Sequence, residues 1–282
     1  MSAPTLPLDH AVVTTPEHSS PAIVFEDVAV SFGDSDVLRG VSFHLARGET
    51  KALFGVAGSG KSLILKLVLG LIRPDSGRIV VLGQDVTQMR EEDLFALRGK
   101  IGMVCQESAL FDSLTVSENV AYRLTEEHGI YDDDIDTKVR EALRFVELEH
   151  TLDLYPSELS GGMRRRVAIA RAIITQPELL LYDSPTGGLD PVTSNTIIEL
   201  IVKQRDVYKT SALLVTHRLQ DAFTMATHQF DKETNHIVPL PPGQHCEVPM
   251  SFLILRDGKV IFDGDLRQLA HTQDEYIKEY IS

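Results

Sequence analysis

The residues whose types and spacing most clearly indicate chemistry run from Gly55 to Ser62. They fit the phosphate-loop pattern G-x-x-x-x-G-K-[ST] at every fixed position. Glycines in such a loop allow successive backbone N–H groups to turn inward around phosphate oxygens. Lys61 would add a positive charge there, and the Ser62 hydroxyl would be a ligand of Mg²⁺. The predicted nucleotide-contacting residues of the loop are Gly55, Val56, Ala57, Gly58, Ser59, Gly60, Lys61 and Ser62.

The segments on either side of this loop have the composition that such a site requires. Thr50–Phe54 is a short β-prone run, and Leu63–Leu69 is an apolar run suited to a buried helix. A glycine-rich turn by itself is a weak signal. The order strand, loop, helix places a helix N-terminus against the anion, and it therefore predicts binding of nucleotide phosphates.

Composition narrows the class of protein. The 282 residues carry a formal net charge of −14, which argues against nucleic acid as a partner because such surfaces are normally basic. Cys105 and Cys246 are far apart, which suits a reducing cytosol and gives no disulfide framework. Residues 1–20, rich in Pro, Ser and Thr, are predicted to be a disordered leader. No apolar run reaches the roughly 18 residues that cross a bilayer, so another chain would supply any path through a membrane.

The pattern along the chain predicts an α/β fold in which strands and helices alternate around a helix-rich insertion at about 107–176. The predicted strands are Ile23–Phe32, Val37–Leu45, Ile79–Leu82, Ile101–Val104, Leu179–Tyr182 and Ala212–Val215, and the predicted helices are Thr137–Val146 and a segment from near Gly162 through Ile173. A proline-containing stretch at about 228–250 is predicted to be an extended surface loop. Its His228, His236, His245 and Cys246 match no standard zinc spacing, so no metal site is predicted there.

A second motif lies downstream, at Leu159, Ser160, Gly161, Gly162 and Met163. Together with the phosphate loop it makes the span from about Ile23 to the C-terminus resemble an ATP-binding cassette (ABC) ATPase subunit. The resemblance implies a P-loop NTPase fold with a RecA-like core, an antiparallel β subdomain and an inserted helical subdomain. It also implies ATP and Mg²⁺ as cofactors. In this family the Ser-Gly-Gly element completes the nucleotide site of a second copy, so a second ATPase chain is an expected partner.

Further residues match the family's motifs in order, and their roles are implied by the resemblance. Phe32 matches the aromatic residue that stacks on adenine. Gln106 matches the glutamine that senses Mg²⁺ and the attacking water, and Asp183 matches the carboxylate that holds Mg²⁺. The loop that ends at Asp190 matches the segment that communicates across the dimer. His217 matches the histidine that contacts the γ-phosphate.

Variants of these motifs narrow the resemblance. Met163 stands where most relatives have Gln, and the segments 109–121 and 273–280 are similar to those of ATPases in Mla/MCE-type phospholipid transport systems. In those systems the ATPase works with an integral membrane permease and an MCE-type substrate-binding protein. The implied location is the cytoplasmic face of the inner (plasma) membrane, where the chain is held peripherally by the permease. The alternative is a non-transport soluble ABC protein, which usually carries two cassettes or a long coiled-coil insertion.

Ser184 departs from the family pattern, which has Asp-Glu where this chain has Asp183-Ser184. The missing glutamate acts as general base or orients the water, and loss of such a group typically costs ~10²–10⁴ in rate. One hypothesis is a slow homodimer in which His217 and Gln106 orient the water. The other is a degenerate, nucleotide-gated subunit paired with a competent ATPase chain. We favour the homodimer and include Ser184 among the candidate catalytic residues.

Overall fold

A computed structural model describes residues 20–281, except residues 130–131, 242–243 and 245. The predicted leader, residues 1–20, lies outside the described residues apart from Ser20, and His245 is outside them as well. The strands are β1 (Ile23–Phe32), β2 (Ser35–Leu45), β3 (Thr50–Gly55), β4 (Ser76–Val81), β5 (Gln84–Asp85), β6 (Ile101–Val104), β7 (Leu179–Asp183), β8 (Ser211–Val215), β9 (His228–Asp231), β10 (His236–Pro239), β11 (Met250–Arg256) and β12 (Lys259–Gly264). The helices are α1 (Lys61–Val68), α2 (Glu91–Arg98), α3 (Val116–His128), α4 (Asp133–Phe145), α5 (Gly161–Ile173), α6 (Pro191–Tyr208), α7 (Leu219–Thr227), α8 (Leu266–Ala270) and α9 (Glu275–Ile281).

The centre of the molecule is a six-stranded sheet in the order β12-β11-β3-β8-β7-β6. The five strands from β11 to β6 are parallel, and β12 pairs antiparallel with β11. Both faces of this sheet are buried. On β7, Leu180 and Tyr182 pack on the helical side, whereas Leu179 and Leu181 pack on the other side. Near-continuous apolar strands are what a parallel sheet covered on both faces requires, and they carry the α/β signal in the sequence.

A four-stranded antiparallel sheet, β2-β1-β4-β5, covers α1 and shares a hydrophobic core with one face of the central sheet. Phe25 and Phe43 stack across the β1–β2 pair with ring centroids 4.7 Å apart. This layer holds α1, the helix that follows the phosphate loop, against β3.

Between β6 and β7 the chain forms α3, α4 and α5, which pack together and against α6 over the other face of the central sheet. Thr115 and Glu118 form a capping box at the start of α3, in which each side chain accepts a hydrogen bond from the other residue's backbone N–H. Ser160 caps α5 by accepting from the backbone N–H of Met163 at 3.2 Å. Among the described residues, no helix has both the length and the apolar content needed to cross a membrane.

The segment at 228–250, predicted to be an extended loop, contains an antiparallel hairpin formed by β9 and β10. The hairpin packs on α6, where Lys203 lies over the rings of Phe145 and Phe230 at 4.8 and 5.3 Å. His236 pairs through Nδ1 with Glu199 at 2.9 Å, and the Cys246 thiol faces main-chain oxygens. The prediction of a loop was wrong because β9 and β10 pair with each other and pack on α6, with Pro239 at the end of β10.

Two other predicted boundaries also differ from the structure. The helix predicted to start at Thr137 begins at Asp133, because the Asp132 side chain accepts from the backbone N–H of Ile135 at 2.9 Å. Acidic residues in a first helical turn interact favourably with the helix dipole, so the acidic run begins the helix rather than preceding it. The second strand, predicted to start at Val37, begins at Ser35, because Ser35 pairs directly with Phe32.

Candidate functional site

Four neighbouring parallel strands of the central sheet end at one edge of the molecule. In spatial order, β3 ends at Gly55, β8 is followed by Thr216 and His217, β7 ends at Asp183, and β6 is followed by Cys105 and Gln106. Ligands of open α/β sheets bind outside the carboxyl ends of the strands. The structure therefore brings the predicted phosphate-loop, Mg²⁺ and catalytic residues to a single edge, although they are up to about 160 positions apart in sequence.

The phosphate loop has the backbone that its sequence predicts. Gly60 has φ +93° and immediately precedes α1. A Cβ built on Gly55 would lie 2.5 Å from Ser59 Oγ and 2.6 Å from the Leu255 carbonyl oxygen, so only glycine fits there. Ser59 is buried, whereas the side chains of Val56 and Ala57 are exposed.

Lys61 closes this loop on itself. Its Nζ donates to the main-chain oxygens of Gly55 and Val56, both at 2.8 Å. Burial lowers the pKa of Lys61, and the charge of Asp183 acts in the opposite direction. The ammonium group therefore lies within the loop, next to the N-terminus of α1, and a bound phosphate would offer it oxygens in place of the carbonyls.

Ser62 and Asp183 supply two oxygens at the same place. The Ser62 hydroxyl donates to Asp183 Oδ1 at 3.2 Å, joining the start of α1 to the end of β7. Hydroxyl and carboxylate oxygens are suitable ligands for Mg²⁺, which keeps several water ligands in addition. This pair of oxygen donors therefore fits the predicted magnesium ion.

Ser184, which follows Asp183, lies in a constrained loop. Its φ is +46°, its side chain is 9% exposed, and its backbone N–H donates to the Val215 carbonyl at 2.8 Å. A Cβ built on Gly187 would lie 3.4 Å from Ser184 Cβ and 3.6 Å from Gln106 Cγ, so the three residues adjoin one another. A positive φ is uncommon for a non-glycine residue and persists where neighbouring structure enforces it. Gln106 and Ser184, the residue after Asp183, therefore both lie next to Gly187.

A buried carboxylate joins two loops of this edge. Asp221 of α7 accepts a hydrogen bond from the Thr186 hydroxyl, and Thr216 Oγ1 lies 3.5 Å from the same carboxylate oxygen. Arg218 Nε lies 3.5 Å from Asp221 Oδ1. Burial raises the pKa of Asp221, and these hydrogen bonds and the charges of Arg218 and His217 partly oppose that change. The loop after β7 and the loop that carries His217 are therefore fixed to each other.

The predicted signature residues lie at a separate place, against the start of α6. A Cβ on Gly161 would lie 3.7 Å from Leu189, and a Cβ on Gly162 would lie 2.4 Å from Thr193 Cγ2. Asp190 caps α6 by accepting from the backbone N–H groups of Val192 and Thr193, both at 3.0 Å. Hydrogen bonds from Thr193 lower the pKa of Asp190.

The remaining signature residues and Phe32 differ in exposure. Ser160 is exposed, Leu159 is buried, and Met163 packs against the helical core. Phe32 is 54% exposed at the tip of the β1–β2 hairpin. Leu38 of the same hairpin contacts Gly60, since a Cβ there would lie 2.8 Å from Leu38 Cδ2. The exposed ring therefore belongs to an element that touches the phosphate loop.

Residues that the sequence reasoning missed include Asp221, Thr186 and Arg165. Arg165 of α5 is 4% exposed and donates to the carbonyl oxygens of Cys105 at 2.8 Å and Gly187 at 3.3 Å. Helical periodicity could have indicated Arg165, because it lies on the apolar stripe of α5 with Ala168 and Ile169. Asp221 gave no comparable signal, since its partners come from distant loops.

Comparison with known proteins decides the family. The family model described as "ABC transporter" matches residues 38–187, just over half of the chain. The chain belongs to the ABC transporter family. Its cassettes are ATPases, so this chain is an ABC ATPase subunit of a transporter.

Relatives within the family have different names. The chain is 35% identical over 263 residues to "Protein TRIGALACTOSYLDIACYLGLYCEROL 3, chloroplastic" of Arabidopsis thaliana, covering 90% of this chain and 71% of that protein. It is 30% identical over 249 residues to the "Intermembrane phospholipid transport system ATP-binding protein MlaF" of Haemophilus influenzae, covering 88% and 86%. It is 38% identical over 208 residues to the "Methionine import ATP-binding protein MetN" of Bifidobacterium longum, covering 71% of this chain and 52%, about half, of that protein.

A solved structure supports the fold. The dimeric ATP-binding cassette MJ0796 bound to ADP and Pi has a TM-score of 0.71 and 27% identity, covering 87% of this chain and 99% of that one. The predicted ABC ATPase fold, with its parallel core sheet, antiparallel sheet and inserted helices, is confirmed.

Proposed function

We propose that this chain powers an ABC transporter that moves phospholipid, as one of two ATPase copies in an Mla/MCE-type system. The similarity to MlaF supports this proposal because it extends over most of both chains. The similarity to a methionine import ATPase is of comparable strength but spans less of both chains, so we favour phospholipid over methionine as the substrate. The expected partners are an integral membrane permease and an MCE-type substrate-binding protein, with the chain at the cytoplasmic face of the membrane.

The observation that carries the ATPase assignment is the convergence of Lys61, Ser62, Asp183 and Gln106 at one sheet edge. Lys61 and the loop N–H groups would hold the β- and γ-phosphates, while Ser62, Asp183 and Gln106 would hold Mg²⁺. When bound, Mg²⁺ would neutralise charge that develops on the transferred phosphoryl group. Gln106 and His217 would orient the attacking water, and the Ser160–Met163 motif with Asp190 would complete the site of the second copy.

ATP binding through the loop can be tested with Lys61→Ala and a matched control. Lys66→Ala removes an exposed lysine from the same helix without touching the loop. A fluorescent-nucleotide titration should show at least tenfold weaker binding for Lys61→Ala and unchanged binding for Lys66→Ala, because only Lys61 neutralises phosphate charge. Equal nucleotide affinities in the two variants would contradict ATP binding through this loop.

The proposed role in phospholipid transport requires a separate experiment. We would purify the tagged chain from native membranes with mild detergent and identify co-purifying proteins and lipids by mass spectrometry. A multi-spanning permease, an MCE-type protein and enriched phospholipid are expected. If added phospholipid left the ATP turnover of the purified complex unchanged while another solute stimulated it, the lipid assignment would be contradicted.

Ser184 favours a second candidate, a nucleotide-gated subunit with negligible hydrolysis of its own. Serine offers no carboxylate at the position that follows Asp183 and adjoins Gly187. The two candidates differ in the turnover of the assembled homodimer, which is measurable in the first and absent in the second.

A further inference from the structure

Arg165 is a buried arginine in the helix that follows the signature motif. Its side chain is 4% exposed and lies on the stripe of α5 otherwise formed by alanine, valine and isoleucine. Removing a guanidinium from water is strongly unfavourable unless its donors are well paired. A residue needed only to fill space there would be apolar, so the contacts made by the charge require an explanation.

Those contacts reach two different loops of the candidate site. Nη1 donates to the carbonyl oxygen of Cys105, the residue before Gln106, at 2.8 Å. Nη2 lies 3.3 Å from the carbonyl oxygen of Gly187, which adjoins Ser184 and Gln106. Among the described residues, Nε has no hydrogen-bond partner although it is buried. Burial lowers the pKa of Arg165, and Glu107 is among the groups that oppose this change.

Both loops contain backbone that neighbouring structure must hold in place. Ser108 and Ala109 have φ of +66° and +47°, and Ser184 has φ of +46°. Left-handed conformations at such residues are strained and persist only where the surroundings enforce them. Arg171, also on α5, donates to the Ser108 carbonyl at 2.9 Å. Helix α5 therefore holds the loop that contains Gln106 through two hydrogen bonds, one from Arg165 to Cys105 and one from Arg171 to Ser108. Arg165 also donates to the loop after β7.

We propose that Arg165 is a positioning residue that couples the signature helix to the loops carrying Gln106 and Ser184. Because Ser160 begins the same helix, a displacement of α5 on contact with a second copy moves the guanidinium and both carbonyls that it holds. The unpartnered Nε provides a further donor for an acceptor brought up by that movement. Nucleotide bound by one copy thereby influences water-orienting groups in its partner. The expected effect on ATP turnover rests on the proposed function. The coupling of the two loops is inferred from the contacts of Arg165 alone.

The test compares Arg165→Met with Arg166→Met, using the full chain. Arg166 is the neighbouring, half-buried arginine, and it donates to the Val146 carbonyl at 3.2 Å, away from the sheet edge. We expect Arg165→Met to lower kcat for ATP at least tenfold with KM changed less than threefold, because the phosphate loop is untouched. Arg166→Met should match the wild type in both quantities. Arg165→Lys, which keeps the charge and can reach one carbonyl, should give an intermediate kcat.

Hydrogen–deuterium exchange gives a readout that does not depend on turnover. Amides at 105–109 and 184–188 should exchange faster together in Arg165→Met, while those of the phosphate loop remain as in the wild type. Equal kcat and equal exchange in Arg165→Met and Arg166→Met would overturn the proposal, as would faster exchange in one of the two loops alone. If Arg165→Met does not fold, Arg165→Lys decides, and wild-type values in that variant would also overturn it. A wild type that binds no ATP would defeat the proposed function, whereas the exchange result would still decide the coupling.

Discussion

Replacing Ser184 with glutamate should increase ATP turnover. The backbone there is fixed by φ +46° and by the bond from Ser184 N–H to the Val215 carbonyl at 2.8 Å, so the new side chain would start from a defined point. Its carboxylate oxygens would extend about 2.4 Å beyond the position of the serine oxygen, judged from one C–C bond of ~1.5 Å and one C–O bond of ~1.2 Å. Gly187 adjoins both Ser184 and Gln106, so a carboxylate at position 184 would lie close to the residue proposed to orient the water.

The size of the gain follows from what a positioned proton acceptor supplies. Such a group contributes typically 10²–10⁴ in rate, or ~3–5 kcal/mol at about 1.36 kcal/mol per tenfold. We expect only about 10–100-fold, because position 184 is 9% exposed and its surroundings are packed around serine. Repulsion from Asp183 should also destabilise the free protein: two charges about 6 Å apart at a dielectric of about 20 repel by about 3 kcal/mol. Nucleotide affinity should stay within a few-fold, since Lys61, Ser62 and Asp183 are retained.

The assay is steady-state phosphate release by the purified homodimer, with Ser184→Gln as the matched control. Glutamine has the size of glutamate but accepts no proton, so it should give wild-type turnover or less. Equal kcat in the Glu and Gln variants would refute the reasoning, because it would mean that another residue already supplies the base. An increase confined to mixtures with a second, competent ATPase would instead support the degenerate subunit. His217→Ala, made in the otherwise wild-type chain, should lower kcat below the wild-type value.

Three other predictions concern the second copy, a buried carboxylate and the thiols. Ser160→Arg should abolish turnover while leaving nucleotide binding to the monomer intact, whereas loss of the cap alone in Ser160→Ala costs about 1 kcal/mol; turnover that survives the arginine would contradict a composite site. Burial raises the pKa of Asp221, so the folded state binds this proton more tightly than the unfolded state and loses stability as pH rises above about 4. Asp221→Asn should therefore gain Tm relative to the wild type between about pH 4 and pH 7, and a pH-independent difference would disprove this. Burial also raises the pKa values of Cys105 and Cys246. Alkylation by iodoacetamide at about pH 7.5 should therefore be about tenfold slower in the folded chain than in the urea-unfolded chain, because the thiolate is the reacting form; equal rates would contradict it.

The sequence predicted the parts of this protein that depend on local pattern. The phosphate loop between Thr50 and Leu69 was predictable because its glycines, lysine and flanking apolar runs are contiguous, and the parallel strands because both their faces are buried. Contacts between distant segments were not predictable in this way. Helical periodicity places Arg165 on the apolar stripe of α5, but the two loops that it contacts are known only from the folded chain, and the β9–β10 hairpin depends on α6 for its packing.

The pairing of β3 with β11 has a consequence for how the protein is made. Strand β3, which leads into the phosphate loop, lies between β8 and β11, so its two hydrogen-bonded neighbours follow it by roughly 160 and 200 positions. A ribosome adding about 5–20 residues per second would need on the order of 10–40 s to supply them. During translation β3 has unpaired edges, which are prone to pair with other chains. The nucleotide site is therefore among the last parts of this protein to be completed, and a nascent chain benefits from protection of that strand until residues 250–256 have emerged.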